Sequence, residues 1–277
     1  MSLTAEQHAT YASSGYLTVP AVFRQDELAA MRSAADEILE LIVNSSLANG
    51  RHSGRLDLRD RDGEQIVRKI QPINDLSLVL AGASSDARFL TPLAELLGDE
   101  PVLMEEKLNY KQSLGAWYDT LSPRPDDTRF PIHNDWAYYK MNGYPSSVIS
   151  SCILLDDCTP ENGPLRFWPA SHRHHLEHES VRLGLQVKEG LIDPDAGTPI
   201  IAEAGSVVYF SSLLVHASSP NETARPRRLM IYSHTPKRSG MPPDLRNGPM
   251  RLRESPHELA YLSALAKGEL RPTYTAS

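Results

Sequence analysis

Hydrophobic positions recur with two different periods along the chain. Up to about residue 100 the spacing is helical, and it predicts an amphipathic helix over residues 25–43 and another helix over residues 86–97. Ser85 is a suitable N-cap for the later helix, and Gly98 lies at its C′ position. Residues 15–23 form a short β-prone run ahead of both helices. The apolar face of the earlier helix consists of Leu28, Met31, Ala35, Ile38, Leu39 and Ile42.

From residue 101 the hydrophobic period changes to two, which is typical of strands. Residues 101–112 alternate clearly, with Glu105, Lys107, Asn109 and Lys111 on a polar face and Leu108 and Tyr110 on the other. Turn signals at 161–164, 203–205 and 219–223 separate the later strand candidates. Those further candidates are residues 147–155, 165–168, 200–202, 206–217 and 227–234.

Antiparallel strands preceded by helices predict a mainly β fold with α-helices, a double-sheet jelly roll braced on one side. We expect one domain over residues 1–277: mostly helical support over 1–100, a jelly-roll core over 101–235, and a C-terminal loop and tail over 236–277. The segments 119–130 and 235–256 have the length and composition of lids or binding loops.

Composition excludes several classes of protein. The net charge is −7 and no long run of Lys or Arg occurs, so nucleic acid is not the expected partner. The apolar runs have strand length, which indicates no membrane span. The N-terminus lacks the features of a secretory signal, and Cys152 and Cys158 are typical of reduced, buried thiols. We therefore expect a cytoplasmic protein.

The strongest local signal for chemistry is His133-Asn134-Asp135. In an extended segment, residues two apart point to the same side, so the imidazole and the carboxylate would converge. With His216 they would form the two-His, one-carboxylate set that holds non-haem iron(II). Taken singly, His133 is better explained as a loop histidine capped by Asp135, and His216 as a core histidine with satisfied hydrogen bonds.

The spacing around His216 favours the metal hypothesis. Arg227 lies eleven residues later, and the midpoint falls on the predicted turn at 219–223. In an antiparallel hairpin this register places Arg227 opposite His216, while Ser218 shares the face of His216. A guanidinium and a hydroxyl beside a metal suit a dicarboxylate. The alternative is that Arg227 is a surface residue like its neighbours Arg225 and Arg228.

Four histidines cluster at His172, His174, His175 and His178. A zinc site is the functional interpretation, because His174 and His178 would share one face of a helix. No further ligands accompany them, and catalytic helical zinc motifs carry a Glu between the histidines, so a solvated surface is the favoured interpretation.

Together these motifs resemble the phytanoyl-CoA dioxygenase family. The resemblance rests on His133-Asn134-Asp135, on His216 about eighty residues later, and on Arg227 within HASSPNETARPRR. Supporting stretches are GYLTVP at 15–20, KLNYK at 107–111 and ENGPLRFWPASH at 161–172. The last has Ala170 where the family usually has Gly. The resemblance implies a double-stranded β-helix of the jelly-roll, cupin-like type.

The resemblance also implies an activity and a site. His133, Asp135 and His216 would bind iron(II), and Arg227 would bind the cosubstrate 2-oxoglutarate with help from Ser218, Asn109 and Lys107. Oxygen would oxidise, most simply hydroxylate, a C–H bond, with release of succinate and CO2. Halogenating relatives lack the carboxylate, so Asp135 disfavours halogenation. Three aromatic residues that follow the motif, Trp136, Tyr138 and Tyr139, are candidates for the substrate pocket or for ordinary core and rim positions.

Other outcomes stay open at this point. The same chemistry supports desaturation, epimerisation or cyclisation, and a cupin-like metalloenzyme that does not use 2-oxoglutarate, or a non-catalytic metal-binding relative, are further alternatives. No cluster of basic residues marks a nucleotide or CoA pocket in the sequence. We therefore expect a small natural-product, amino-acid-like or sugar-derived substrate in secondary or specialised metabolism.

Overall fold

The structure, a computed structural model, describes residues 2–61, 63–114, 124–125, 129–182, 184–241 and 256–276. Its helices are α1 (Ala5–Ser14), α2 (Gln25–Ala48), α3 (Leu78–Ser84), α4 (Ala87–Leu97), α5 (Trp136–Tyr139) and α6 (Pro256–Ala266). Its first seven strands are β1 (Tyr16–Val19), β2 (Leu56–Arg61), β3 (Glu64–Ile70), β4 (Pro101–Ser113), β5 (Arg124–Pro125), β6 (Phe130–His133) and β7 (Ile149–Leu154). The others are β8 (Leu165–Phe167), β9 (His178–Val181), β10 (Gly184–Val187), β11 (Thr198–Pro199), β12 (Val207–Ser211), β13 (His216–Ser218) and β14 (Leu229–Pro236).

The strands form a large and a small sheet. The large sheet has the order β1-β12-β7-β14-β4-β3-β2-β5, antiparallel except for the β2–β5 pair. The small sheet has the order β11-β8-β13-β6, and β9 pairs with β10. The mainly β jelly-roll prediction is confirmed. The predicted strand 206–217 was wrong as one element, because its two ends are β12 in the large sheet and β13 in the small one.

Strict alternation along the large sheet separates two cores. Ile153 and Met230 point to the side that packs against the helices, together with Leu28 and Leu39 of α2. The intervening positions point to the small sheet, where they pack with Leu165 and Phe167 of β8. These intervening residues include Cys152, Leu154, Val208, Phe210, Leu229 and Ile231. The space between the sheets therefore belongs to this inner face, while the helices brace the outer one.

The two predicted helices occur with small differences at their ends. α2 continues five residues past residue 43, because Asn44 of the added turn is bound by the C-terminal segment. The Asn44 side chain donates to the carbonyl of Tyr274 and accepts from the N–H groups of Thr273 and Tyr274. α4 ends at Gly98 in the left-handed conformation, as predicted. Its N-cap is Asp86 and not Ser85, since the Asp86 carboxylate accepts the Arg88 N–H at 2.7 Å.

Several elements were not predicted. The first hundred residues contain the hairpin of β2 and β3 as well as helices, and the dipeptide Asp62-Gly63 between these strands is a hairpin signal in the sequence. The expected C-terminal loop and tail contains α6. The expected strand 200–202 is reduced to an isolated bridge between Ala202 and Cys158, and β11 lies just before it.

The two predicted loops fall mainly outside the described residues. Of the segment 119–130 the structure describes only 124–125, 129 and 130, and of the segment 235–256 it describes 235–241 and 256. Within the described part, no helix combines the length and the apolar character required to cross a bilayer. Cys152 and Cys158 are free and buried, as predicted.

Ala170 shows why its position usually carries Gly. Its φ is +65°, in the left-handed region, where a side chain costs about 1–2 kcal/mol. The Ala170 N–H donates to the carbonyl of Ser14 at 2.8 Å, which ties the loop after β8 to the end of α1. Ala170 therefore adopts a left-handed backbone conformation that glycine would adopt without this cost, and the result is local strain.

Glu106 provides a pH-dependent test of the outer core. It is fully buried on β4, its Oε1 accepts the N–H groups of Ile73 and Asn74, and burial raises its pKa from 4.5 to about 7. The folded state therefore binds an extra proton between about pH 4.5 and 7, and stability falls as pH rises through this window. We expect Glu106→Gln, which removes this loss, to be more stable than wild type above pH 7, by about 1–3 kcal/mol.

Urea denaturation of both proteins at pH 5 and pH 8 measures the difference. The exposed Glu222→Gln is the control and should show the same pH dependence as wild type. A Glu106→Gln protein that follows the wild-type pH dependence would show that Glu106 is ionised throughout.

Candidate metal site and cavity

His133, Asp135 and His216 come together between the sheets. His133 is the last residue of β6 and His216 the first of β13, and the two are direct partners across this strand pair. Their ring centroids lie 4.4 Å apart. The Asp135 Oδ1 lies 3.8 Å from the His133 Nε2 and 3.7 Å from the His216 Nε2. One ligand atom from each residue therefore falls within 4.8 Å of the others, which is the spacing that one metal ion requires.

Backbone hydrogen bonds fix the tautomer of both histidines. The Nδ1 of His133 lies 2.7 Å from the carbonyl oxygen of Pro131, and the Nδ1 of His216 lies 3.0 Å from that of Leu214. A carbonyl only accepts, so each Nδ1 carries a proton, and in the neutral form of either ring the Nε2 is the atom with the free lone pair. Such bonds orient metal-binding imidazoles in proteins.

Asp135 reaches the site by a different route from the one expected. It is not in an extended segment: its φ of −62° and ψ of −33° are helical, and it directly precedes α5. Its Oδ2 accepts a hydrogen bond from the Ser150 hydroxyl at 2.6 Å, which leaves Oδ1 directed at the two histidines. The convergence of His133 and Asp135 was predicted correctly. The reason given for it, an extended segment through both residues, was wrong.

Burial and neighbouring charges favour the ligand forms of these groups. Burial, followed by the nearby His216, lowers the pKa of His133 to about 3, so its imidazole is neutral. Burial alone would raise the pKa of Asp135, but His216, Lys107 and His133 outweigh it and the pKa is lowered. A neutral imidazole and an ionised carboxylate are the states that bind a divalent metal.

A cavity of about 490 Å³ opens onto these three side chains. Ser218 of β13 lines it, as do Lys107 and Asn109 of β4, so the polar face of that strand points inward as expected. Asn109 is buried, and its Oδ1 has no hydrogen-bond partner among the described residues. Volume and polar lining are sufficient for two small molecules side by side.

Two of the three aromatic candidates line the cavity. Tyr138 packs edge-on against His133, with ring centroids 5.7 Å apart, and its hydroxyl accepts the Leu185 N–H at 2.6 Å. Tyr139 also lines the cavity, and its hydroxyl donates to Glu105 at 2.8 Å. Trp136 is not among the lining residues, and its indole N–H donates to the carbonyl of Tyr144 at 3.2 Å.

A chain of buried hydrogen bonds leads from the metal site to Tyr139 and Glu105, two residues that line the cavity. The Ser150 hydroxyl, which holds Asp135, lies 3.1 Å from that of Ser233, which in turn lies 3.0 Å from the Tyr139 hydroxyl. Tyr139 donates to Glu105 at 2.8 Å. Single polar residues on hydrophobic strands gave no sequence signal for this chain, although Ser150 and Ser233 share the inner face and are register partners.

The hairpin predicted for His216 and Arg227 was wrong. β13 pairs with β6 and β8 in the small sheet, whereas β14, which follows Arg227, pairs with β4 and β7 in the large sheet. The segment between them crosses from one sheet to the other. Arg227 lies two residues before Leu229 and therefore continues the row of inward-facing residues of β14. It is not among the residues that line the cavity.

Arg227 is nevertheless an internal cation and not a surface residue. It is fully buried, and burial lowers its pKa. Its Nη2 donates to the carbonyl of Gly163 at 2.8 Å, and Lys111 donates to the same carbonyl. The Nε and Nη1 have no hydrogen-bond partner among the described residues. Gly163 has a φ of +69°, and a Cβ there would meet the backbone of Ser219 and Pro220.

The histidine cluster is neither a helix nor a fully solvated surface. His175 and His178 are partly buried and their rings stack with centroids 5.3 Å apart. His178 accepts a hydrogen bond from the backbone N–H of Asn134 at 3.1 Å. In the sequence, Asn134 lies between the candidate ligands His133 and Asp135. Burial lowers the pKa of His178 to about 4, which keeps it neutral and able to accept this bond. The solvated surface predicted for this cluster is therefore found only at His174, which is exposed.

Four basic side chains line the same cavity: Arg59, Arg68, Lys69 and Lys107. The sequence showed no basic cluster, and that expectation was wrong for the folded chain. β2, β3 and β4 are adjacent in the large sheet, so residues that are up to about fifty positions apart meet on one wall.

Comparison with known proteins identifies the family. Residues 11–229 match the family model described as phytanoyl-CoA dioxygenase (PhyH). This match covers most of the chain and includes the three candidate ligands and Arg227. The chain belongs to the phytanoyl-CoA dioxygenase family, as its motifs predicted.

Individual relatives agree with this assignment. The chain is 27% identical over 268 residues to an ectoine dioxygenase of Sphingopyxis alaskensis, covering 87% of this chain and 79% of that protein. It is 33% identical over 144 residues to a methylphosphonate hydroxylase of Gimesia maris, covering 50% of this chain and 47% of that protein.

A solved structure shares the fold. EctD from S. alaskensis, crystallised with 2-oxoglutarate and 5-hydroxyectoine, superposes with a TM-score of 0.64 at 26% sequence identity. The superposition covers 84% of this chain and 76% of that one. The fold class and the dioxygenase class predicted from the sequence are both confirmed.

The hydrogen bond from Ser150 generates a prediction about metal affinity. We expect Ser150→Ala to weaken iron(II) binding by about 10–100-fold, because Asp135 loses the donor that directs its Oδ1 inward. Anaerobic calorimetry measures the affinity. Ser151→Ala is the matched control: Ser151 is equally buried but points to the other face of β7, and its hydroxyl has no partner among the described residues. Equal affinities in both variants would contradict this role.

Proposed function

We propose that this enzyme uses iron(II), 2-oxoglutarate and oxygen to hydroxylate a C–H bond of a small molecule, with release of succinate and CO2. One observation carries the proposal: three buried ligand atoms lie within 4.8 Å of one another, and hydrogen bonds already hold the other atoms of each group. We place the reaction in secondary or specialised metabolism.

His133, Asp135 and His216 would hold the iron. Their two imidazole nitrogens and one carboxylate oxygen are the ligand set of non-haem iron(II) oxygenases, which leaves positions open on the cavity side. Bound iron and 2-oxoglutarate would together supply the oxidant, and the protein would position the substrate and exclude water. Because Asp135 provides a carboxylate ligand, the site favours oxygen chemistry over halogenation.

Arg227 would bind the distal carboxylate of 2-oxoglutarate. Its buried Nε and Nη1 lack partners among the described residues, and an unpaired buried cation is unfavourable unless an anion accompanies it. The planar guanidinium matches a carboxylate with two parallel hydrogen bonds. Ser218, Asn109 and Lys107 line the cavity and would assist, although the Lys107 ammonium lies 3.1 Å from Glu105 and is partly neutralised by it.

Tyr138 and Tyr139 would shape the substrate position. Both line the cavity next to the metal site, and hydrogen bonds fix both hydroxyls, so their rings provide rigid walls. Desaturation, epimerisation and cyclisation would use the same residues with a different substrate placement. The ectoine dioxygenases and the solved structure with 2-oxoglutarate give no support to a cupin-like enzyme that works without this cosubstrate.

Removal of any one ligand should abolish metal binding and turnover. We expect His133→Ala, Asp135→Ala and His216→Ala to lose iron(II) binding measured by anaerobic calorimetry, since each removes one of three bonds to the ion. The control is His174→Ala, which changes an exposed histidine and should bind iron as wild type does. Full activity in any of the three ligand variants would refute the assignment.

Loss of Arg227 should affect the cosubstrate and not the metal. Each charge-assisted hydrogen bond contributes about 1.5–3 kcal/mol, so Arg227→Ala should weaken 2-oxoglutarate binding by about a hundredfold or more. Arg227→Lys should recover only part of the affinity, because lysine cannot form the paired bonds. Iron affinity should stay unchanged in both variants.

Two neighbouring arginines serve as controls. Arg225 is exposed, so Arg225→Ala should leave binding and stability unchanged. Arg228 points to the helices, where its guanidinium contacts Asp36 at 2.8 Å and Asp156 at 2.9 Å. Arg228→Ala should therefore lower the melting temperature and keep 2-oxoglutarate affinity. Normal 2-oxoglutarate binding by a folded Arg227→Ala protein would exclude Arg227 from the cosubstrate site.

A further inference from the structure

The strands β9 and β10 form a separate two-stranded sheet that lies against the metal site. They pair antiparallel, with His178 opposite Val187. Gly184 of β10 lines the cavity, and a Cβ at this position would meet the Tyr138 hydroxyl at 2.5 Å. This unit, the β9–β10 pair, therefore approaches the site too closely for a side chain at that point.

Two hydrogen bonds join the β9–β10 pair to the chain around the metal ligands. From β9, the His178 Nε2 accepts the backbone N–H of Asn134 at 3.1 Å, across a separation of 44 residues in the sequence. From β10, the Leu185 N–H donates to the Tyr138 hydroxyl at 2.6 Å. Each strand of the pair thus provides one anchor, and the anchor from His178 lies between two candidate ligands.

The Asn134 N–H belongs to the planar peptide group that joins His133 to Asn134. A hydrogen bond to this N–H therefore fixes the orientation of the whole group. Directly after it, the chain changes from the extended strand β6 to the helical conformation of Asp135. Asn134 is fully buried, so loss of the acceptor would leave a buried N–H unpaired or rotate the peptide group. Such a rotation would change the direction in which the chain leaves His133 toward Asp135.

His178 has the tautomer that this role requires. Its Nδ1 lies 2.8 Å from the carbonyl oxygen of Leu176, two residues earlier. A carbonyl only accepts and a backbone N–H only donates, so Nδ1 carries the proton and Nε2 offers the lone pair. Carbonyls two residues earlier hold His133 and His216 in the same way. The Nε2 of His178, however, is directed at the backbone and not at the ion.

A second imidazole restricts the ring of His178. His175 stacks on it, with ring centroids 5.3 Å apart and an angle of 9° between the ring planes. Trp136, the first residue of α5, contacts His175 edge-on with centroids 4.9 Å apart. The histidine cluster is therefore packed against the helix that follows the ligands, and this packing holds the acceptor in one position.

We infer that His178 is a positioning residue of the metal site, which holds the peptide group after His133 so that His133 and Asp135 face one ion. This inference rests on the metal site of the proposed function. A chain segment that is held before the ion arrives loses less conformational freedom on binding, so the hydrogen bond strengthens metal affinity. The loss of one buried hydrogen bond corresponds to about tenfold in affinity.

Two variants that differ by one methylene group test this role. His178→Gln places an amide oxygen close to the position of Nε2, whereas the shorter His178→Asn reaches only the position of Nδ1. We expect His178→Asn to bind iron(II) about tenfold more weakly than wild type in anaerobic calorimetry, and His178→Gln to recover most of the affinity. The ligand-field absorption of bound cobalt(II) depends on the positions of the ligand atoms. It should change in His178→Asn and match wild type in His178→Gln.

Lys188→Met is the matched control. Lys188 pairs with Glu177 at 2.7 Å beside the β9–β10 pair, and both side chains are exposed. The substitution therefore alters the same unit and keeps the bond to Asn134, so iron affinity and the cobalt spectrum should match wild type. Wild-type iron affinity in His178→Asn would overturn the inference. Equal losses in His178→Asn and His178→Gln would also overturn it, because they would assign the effect to packing and not to the acceptor.

Hydrogen exchange of the wild-type protein tests the same coupling without any substitution. Coupling between two interactions is reciprocal, so a bond that strengthens metal binding must itself be strengthened by the metal. We expect the backbone amides of β9 and β10 to exchange up to about tenfold more slowly when the redox-inert ion zinc(II) is bound. Unchanged exchange in both strands would show that the β9–β10 pair and the metal site are independent, which would overturn the inference.

The outcomes separate this inference from the proposed function. Iron binding that His178→Asn leaves unchanged would refute only the inference. Iron binding that depends on His178, in a protein that does not bind 2-oxoglutarate, would refute the proposed function and support the inference. A wild-type chain that binds no iron would refute both.

Discussion

The pairing of β6 with β13 is the constraint on which the site depends. It sets His133 directly opposite His216, and the carbonyls of Pro131 and Leu214 then turn both Nε2 atoms to the same point. A shift of one residue in this register would send one imidazole to the other face of the small sheet. Asp135 enters the same point only because the chain turns into α5 directly after the strand. Metal binding and strand register are therefore parts of one arrangement.

The large sheet separates stability from chemistry by simple alternation. Its outer face packs on α2 and α4 through residues such as Ile153 and Met230, and this packing provides the rigid support. Its inner face carries polar residues of the site, including Asn109, which lines the cavity, and Ser150, which holds Asp135. The cost of burying Ser150, Ser233 and the Tyr139 hydroxyl is offset by the connected hydrogen bonds from Asp135 to Glu105. Substitutions on the outer face of the large sheet should therefore change the stability of the fold. Substitutions on its inner face should change the binding of ligands.

Sequence patterns predicted local features and some functional residues, but not which strands pair. The helical spacing gave α2 and α4, the alternation gave β4 with its inward polar face, and the motif with His133 gave the family. The hairpin of His216 and Arg227 was wrong because spacing and a turn signal fit a hairpin and a crossing between sheets equally well. The basic side chains of the cavity were missed as a cluster because Arg59, Lys69 and Lys107 meet only through strand order, which periodicity does not encode.

The central claim is that the three ligands create a site where the cosubstrate binds through the metal. The most direct measurement is an anaerobic calorimetric titration of 2-oxoglutarate into the protein with and without iron(II). The account predicts one iron per chain and 2-oxoglutarate binding at least about tenfold tighter in the iron-loaded protein, because the ion contributes bonds that the metal-free protein lacks. Equal 2-oxoglutarate affinity with and without iron, or no iron binding by the wild-type chain, would contradict it.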